Sequence, residues 1–197
     1  MATIDLVRHA EPDITIHDDF LRPLTSAGQR QTQQLVDSLH QYPYTAFFSS
    51  PLKRAVDTIT PIADDHGLPV QKNELLVERK MPAWLPNFSD YVNQQWQDLT
   101  FFEKPGESIH QVQERYLSFL YGLPSSAFVA VGSHGTAISS LVEAAIPGIG
   151  YHFFSKLGYA AVTRIEMHAG NVVHLAVWEP KSKTFKVANS IINPNRN

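Results

Sequence analysis

The feature that most constrains this chain is an alternation: short apolar runs take turns with longer stretches whose apolar residues recur at helical spacing. Thr3-Ile4-Asp5-Leu6-Val7 reads as a strand that ends at Arg8-His9. Thr25 or Ser26 stands where a cap belongs for a helix from Ala27 to about His40, with Leu35, Val36 and Leu39 on one side. Thr45 to Ser49 reads as a second strand. Ser50-Pro51 then opens a helix to about His66, with Pro51 in its first turn, Pro61 set to kink it and Gly67 as its stop. Val70 to Asn73 is a further short strand, and Ser108 to Tyr121 has helical spacing through Ile109, Val112, Tyr116, Leu117 and Leu120. Phe128 to Gly132 is a buried-strand signal, followed by a helix over Thr136 to Ala145. Ala161 to Met167 and Val172 to Trp178, joined at Ala169-Gly170-Asn171, read as a hairpin.

This order predicts an α/β protein, a three-layer α/β/α sandwich whose sheet is mostly parallel with an antiparallel edge strand. With no repeat, linker or low-complexity tract, residues 1–197 are expected to form a single domain with room for a small inserted cap. Composition removes several functions. Sixteen Lys plus Arg against nineteen Asp plus Glu leave a formal charge of −3, so no general grip on nucleic acid is expected. Cysteine is absent, which excludes thiolate nucleophiles, disulfides and Cys-ligated metal. His17, His40, His66, His110, His152, His168 and His174 are scattered without a metal-ligand spacing, so neither a metal nor a cofactor is expected. No run approaches the roughly 18 apolar residues that span a bilayer. The first residues lack the basic start and apolar stretch of a secretory leader. A cytoplasmic protein with no membrane partner, monomeric or homodimeric, is the expectation. Lys181, Lys183 and Lys186 form a modest basic cluster that reads as a solvated edge.

In open α/β sheets, ligands gather at the carboxyl ends of the strands. Arg8-His9, Ser49-Ser50 and Ser133-His134-Gly135 each follow a strand signal, so three strand ends deliver basic or hydroxyl groups towards one face. Arg8 and Arg54 can hold a phosphoryl group by paired hydrogen bonds, which suits its anionic oxygens. An imidazole among such cations keeps its lone pair and is a competent nucleophile. A second imidazole can donate to the equatorial oxygens as charge shifts, and a carboxyl group must protonate the leaving oxygen. Any one of these residues alone would be ordinary. A strand-end histidine is more often structural, and a helical arginine is usually at the surface.

Leu6-Val7-Arg8-His9-Ala10-Glu11-Pro12 resembles the signature of the histidine phosphatase superfamily, the phosphoglycerate mutase-like fold. Further resemblances follow in the family's order: Pro23-Leu24-Thr25-Ser26-Ala27-Gly28; Ser49-Ser50-Pro51-Leu52-Lys53-Arg54-Ala55 through Thr58; His66-Gly67-Leu68-Pro69-Val70 with Leu76 and Glu78; Gly106-Glu107-Ser108 with Arg115; and Ser133-His134-Gly135. The resemblance implies that His9 is the nucleophile of a phosphohistidine intermediate, and that Arg8, Arg54 and His134 bind the phosphoryl group. Gly135 would lie on the substrate side. Glu78 would be the proton donor, with Glu74 as the competing carboxylate, and it has to carry a proton when the substrate binds. The resemblance also places a substrate cap at 79–105, whose Trp84, Phe88, Tyr91, Trp96 and Phe101 would either select an apolar or planar organic group or only pack.

Two departures bear on the reaction. Ala10 stands where many members have Gly, and Thr15 stands where mutase-type members carry Asn, which favours hydrolysis over isomerisation. The expected function is a metal-independent phosphomonoesterase acting on a small-molecule phosphate ester. Phosphoglycerate mutase-type transfer and a non-catalytic phosphate-binding module are the alternatives.

Overall fold

The computed structural model describes residues 1–179 and 184–187. Strand β1 (Ala2–Arg8) leads through helix α1 (Ser26–Leu39) to β2 (Ala46–Ser49), then through α2 (Lys53–Asp65) to β3 (Val70–Lys72). A short 3-10 turn (Glu74–Leu76), α3 (Phe88–Gln97) and α4 (Ile109–Tyr121) precede β4 (Phe128–Ser133). Helices α5 (Gly135–Ala145) and α6 (Gly150–Lys156) follow, then β5 (Val162–His168), β6 (Asn171–Glu179) and β7 (Thr184–Val187).

The strands form one seven-stranded sheet in the order β3-β2-β4-β1-β5-β6-β7. Side chains of a strand alternate between the two faces, and β1 shows the consequence. Ile4 and Leu6 join a core with Val112 and Tyr116 of α4 and Ile138 and Leu141 of α5. Val7 joins the other core, with Leu35 and Leu39 of α1 and Ile59 and Ile62 of α2. Helices therefore cover both faces, as the alternation in the sequence implied. β4 is inserted between β2 and β1 and is parallel to both, so the carboxyl ends of β1 and β4 lie side by side, with Arg8 paired to Ser133. The chain leaves β1 towards β2 on one side and β4 towards β5 on the other. That reversal opens a crevice at these two strand ends.

The helix starts follow local chemistry. The Thr25 side chain accepts from the Gly28 N–H, and Ser108 and Gln111 form a reciprocal capping box on α4. Gly28 is required by close approach, because a Cβ there would stand 2.3 Å from the Glu11 carbonyl oxygen. The segment after His9 can thus pack directly on α1.

Several expectations need correction. Pro51 precedes α2, because Leu52 is still extended, and the helix continues through Pro61 to Asp65. The expected antiparallel edge is present and extends over β5 to β7, where β6, reversed twice relative to β1, shares its direction. Helix α3 went unread because its buried face includes Gln95, which breaks the apolar period. Helix α6 is too short to show one. Lys181 and Lys183 lie outside the described residues, and Lys186 is exposed on β7. Among the described residues no helix is long and apolar enough to cross a membrane.

Candidate active site

The crevice at the ends of β1 and β4 collects the six residues singled out in the sequence. His9 follows β1 and its backbone N–H donates to the Ser133 carbonyl at 2.9 Å. This ties the two strand ends together and brings the His9 and His134 rings to 5.4 Å between centroids, tilted by 59°. His9 Nδ1 lies 2.8 Å from the Ala10 carbonyl oxygen. A carbonyl only accepts, so Nδ1 carries the proton and Nε2 keeps the lone pair. The adjacent turn is fixed by Thr58, whose Oγ1 accepts from the Ala10 N–H and donates to the Arg54 carbonyl. One hydroxyl thus locks the segment after β1 onto the first turns of α2.

Electrostatics keep the imidazoles neutral. Burial pushes His9 down to about 3, opposed by its bond to Ala10 and reinforced by Arg54, Arg8 and Arg22. His134 is fully buried and is held well below the ordinary histidine range by burial, then by Arg54, His9, Arg115 and Arg8. Neither ring nitrogen of His134 has a hydrogen-bond partner among the described residues. A buried polar ring left without partners costs free energy, and an anion's oxygen would accept from its N–H.

Arg54 is buried, and its NH1 donates to the Asp19 carbonyl at 2.6 Å and stands 3.0 Å from Asp19 Oδ1. Arg22 approaches the same carboxylate at 3.4 Å and donates Nε to the Ile16 carbonyl. Arg8 donates NH1 to the Leu157 carbonyl, and its guanidinium lies over the Tyr159 ring, 4.6 Å from the centroid. Gly135 backs the same group, since a Cβ there would meet Arg8 Cζ at 3.2 Å. A side chain at 135 would make a tight contact there, and the guanidinium would have to shift slightly.

Glu78 joins the site at the start of α5. Its carboxylate accepts the backbone N–H groups of Arg79, Thr136 and Ala137 at 2.7, 3.1 and 3.2 Å. Glu74 opens the 3-10 turn instead, and it is exposed. The chain around Glu78 is held by Arg115, which donates to the carbonyls of Leu75, Val77 and Glu78 and pairs with both carboxylate oxygens of Glu107. The Gly106-Glu107-Ser108 and Arg115 motif thus acts on the carboxylate segment from a distance. Thr15 turns away from such work, spending its hydroxyl on Asp13 at 2.6 Å.

Asp19, Arg22 and Tyr159 had not been singled out. Arg22 immediately precedes Pro23-Leu24-Thr25, the one signal available for it. Tyr159 lies in a loop without periodicity and carried none. Among the described residues no group of three or more His, Asp or Glu side chains could hold a metal ion. An open groove between α1 and α2, lined by Thr32, Lys53, Asp57 and Thr60 among others, contains no histidine. Its lysine is already paired with Asp57.

Residues 4–179 match the model of the histidine phosphatase superfamily, branch 1, and the chain belongs to that family. It is 29% identical over 133 residues to phosphoserine phosphatase 1 of Hydrogenobacter thermophilus, covering 61% of this chain and 63% of that protein. It is 36% identical over 78 residues to a 2,3-bisphosphoglycerate-dependent phosphoglycerate mutase of Thermoplasma acidophilum, covering 37% of this chain and 39% of that one. The matched stretches thus span less than two thirds of either relative. A mycobacterial glucosyl-3-phosphoglycerate phosphatase shares the fold with a TM-score of 0.74 at 21% identity, over 90% of this chain and 98% of that one.

Proposed function

We propose that this chain is a metal-independent phosphomonoesterase that hydrolyses a small phosphorylated metabolite through a phosphohistidine on His9. One observation carries the reading: a buried imidazole, proton-bound to a carbonyl through Nδ1, faces a second buried imidazole within a ring of arginines. In the first step the Nε2 lone pair attacks phosphorus and the P–O bond to the leaving group breaks, its electron pair passing to that oxygen. Glu78 gives this oxygen a proton. The Ala10 carbonyl meets the positive charge that builds on His9, while Arg8, Arg54 and His134 meet the phosphoryl oxygens. In the second step water gives a proton to the Glu78 carboxylate and attacks phosphorus. The N–P bond breaks, its pair returns to Nε2, and phosphate leaves.

Hydrolysis is favoured over mutase transfer because Thr15 is engaged by Asp13 rather than turned to the site. On the substrate side, the 79–105 aromatics divide. Trp96 packs near Tyr151 and Phe154, and Tyr91 against Phe101, whereas Trp84 is 69% exposed and stacks on His17 at 4.5 Å. Trp84 and the exposed Phe88 are the members left to meet a planar or apolar organic group.

The test is hydrolysis of p-nitrophenyl phosphate with EDTA present, beside His9→Ala, and of 3-phosphoglycerate with free phosphate and isomer both measured. Activity that survives EDTA, vanishes in His9→Ala and releases phosphate is expected. Equal activity in both proteins overturns the nucleophile, and dominant isomer formation overturns hydrolysis.

A further inference from the structure

Tyr159 has an arrangement that packing does not explain. Its ring is 41% exposed, yet it lies against two site residues: 4.6 Å from Arg8 Cζ and 5.7 Å from the His9 ring centroid, tilted by 38°. The loop that delivers it is stitched to the same two residues. The Ala160 N–H donates to the His9 carbonyl at 3.2 Å, and the Arg8 N–H donates to the Ala161 carbonyl at 2.9 Å. Ala160 itself holds φ at +54°, a left-handed conformation that residues with a Cβ seldom adopt. A strained residue that persists beside a site is held there by its surroundings.

Arg8 needs such a neighbour. The Leu157 carbonyl accepts from NH1, and Nε is buried with no partner among the described residues. One hydrogen bond leaves a guanidinium free to pivot about that contact. Gly135 leaves room for the group, since a Cβ there would stand 3.2 Å from Cζ, and the aromatic face of Tyr159 gives the cation a flat surface to lie on. The ring also stands beside the imidazole of His9, so one side chain meets both the anion-binding group and the proposed nucleophile.

We propose that Tyr159 is a positioning residue of this site, whose aromatic face fixes the Arg8 guanidinium against the phosphoryl group and flanks His9. This rests on the reading of Arg8 and His9 as the phosphoryl site. The hydroxyl is not required, so Phe suffices, whereas an aliphatic side chain of similar bulk does not.

The experiment measures competitive inhibition by orthovanadate, KM and kcat for p-nitrophenyl phosphate, and melting temperature. The proteins are wild type, Tyr159→Phe, Tyr159→Leu, Arg8→Lys and the Arg8→Lys/Tyr159→Leu double variant. Tyr159→Phe is expected within about twofold of wild type, and Tyr159→Leu to weaken vanadate about tenfold at a nearly unchanged melting temperature, in keeping with a partly desolvated cation–aromatic contact. In the Arg8→Lys background the leucine change is expected to cost less than about threefold, because the group it positions is gone. Unaltered vanadate affinity in Tyr159→Leu, or full additivity in the double variant, overturns the positioning role. Unaltered vanadate affinity in Arg8→Lys instead overturns the phosphoryl site beneath it.

Discussion

Asp5 and His9 are both buried, one on β1 and one just past its end, and their surroundings are finished differently. The Asp5 carboxylate receives Nε and NH2 of Arg164, its partner on β5, at 2.8 and 2.7 Å, and the Tyr44 hydroxyl at 2.6 Å. The Arg164 guanidinium lies over Phe185, Tyr42 and Phe128, so this cluster is closed on every side. Around His9 polar atoms are left open: both nitrogens of His134 and Nε of Arg8 are buried and unmatched among the described residues. Buried polar groups that satisfy one another stabilise the fold, and those that do not are arranged for something else to satisfy. The first cluster belongs to folding, and the second is the one the proposed function assigns to chemistry.

The sharpest way to break this division is at its two anchors. His9→Ala is expected to lower kcat by at least about 10³-fold, as loss of a nucleophile does, while leaving stability at neutral pH the same or higher in thermal melts. Arg164→Met is expected to do the reverse. Leaving Asp5 buried and unpaired costs about 3–5 kcal/mol in chemical denaturation, with kcat of the folded fraction changed by less than about threefold. His134→Gln should lower kcat by about 10²–10³-fold, the scale for one donor to a developing oxyanion, again with little effect on melting.

The pH dependence of stability sharpens the comparison further. His9 is held at about 3 in the folded chain against an ordinary value of 6.5, and His134 is also held low. Below pH 6.5 the unfolded chain binds protons that the folded chain refuses, so this stability is complete above pH 6.5 and declines as pH falls towards 3. His9 contributes a slope of about 1.4 kcal/mol per pH unit inside that window, and His134 acts in the same direction. Denaturation at pH 7.5 and 5.0 is therefore expected to show a loss that shrinks by about 2 kcal/mol in His9→Asn. An unchanged loss in that variant would mean that His9 is not buried neutral.

The parts of this molecule legible in its sequence are those governed by local period or local chemistry. Strand β4 begins as an apolar run and β1 is one broken by Asp5, α1 and α4 announce themselves through Thr25 and Ser108, and Arg8, His9, Arg54, Glu78 and His134 sit in recognisable surroundings. What escaped depends on contacts between distant segments. The Asp19 loop meets Arg54, and Tyr159 meets Arg8, only because the sheet order brings β5 beside β1 and α2 beneath the loop. Helix α3 hides for a related reason: Gln95 is buried to bind Arg79 and the Phe101 and Glu107 carbonyls, so its inward face, with Tyr91 and Val92, is only partly apolar. The role of Arg115, which Glu107 pairs with, was equally invisible, since the carbonyls Arg115 holds lie about 40 residues away in the chain.

The most direct measurement is rapid quench with ³²P-labelled substrate followed by mapping of the labelled peptide. The account predicts a burst of phosphoenzyme approaching one per active site, labile to acid and stable to alkali, carried by the peptide containing His9. A turnover without labelled protein, or a label stable to acid or on another residue, would contradict it.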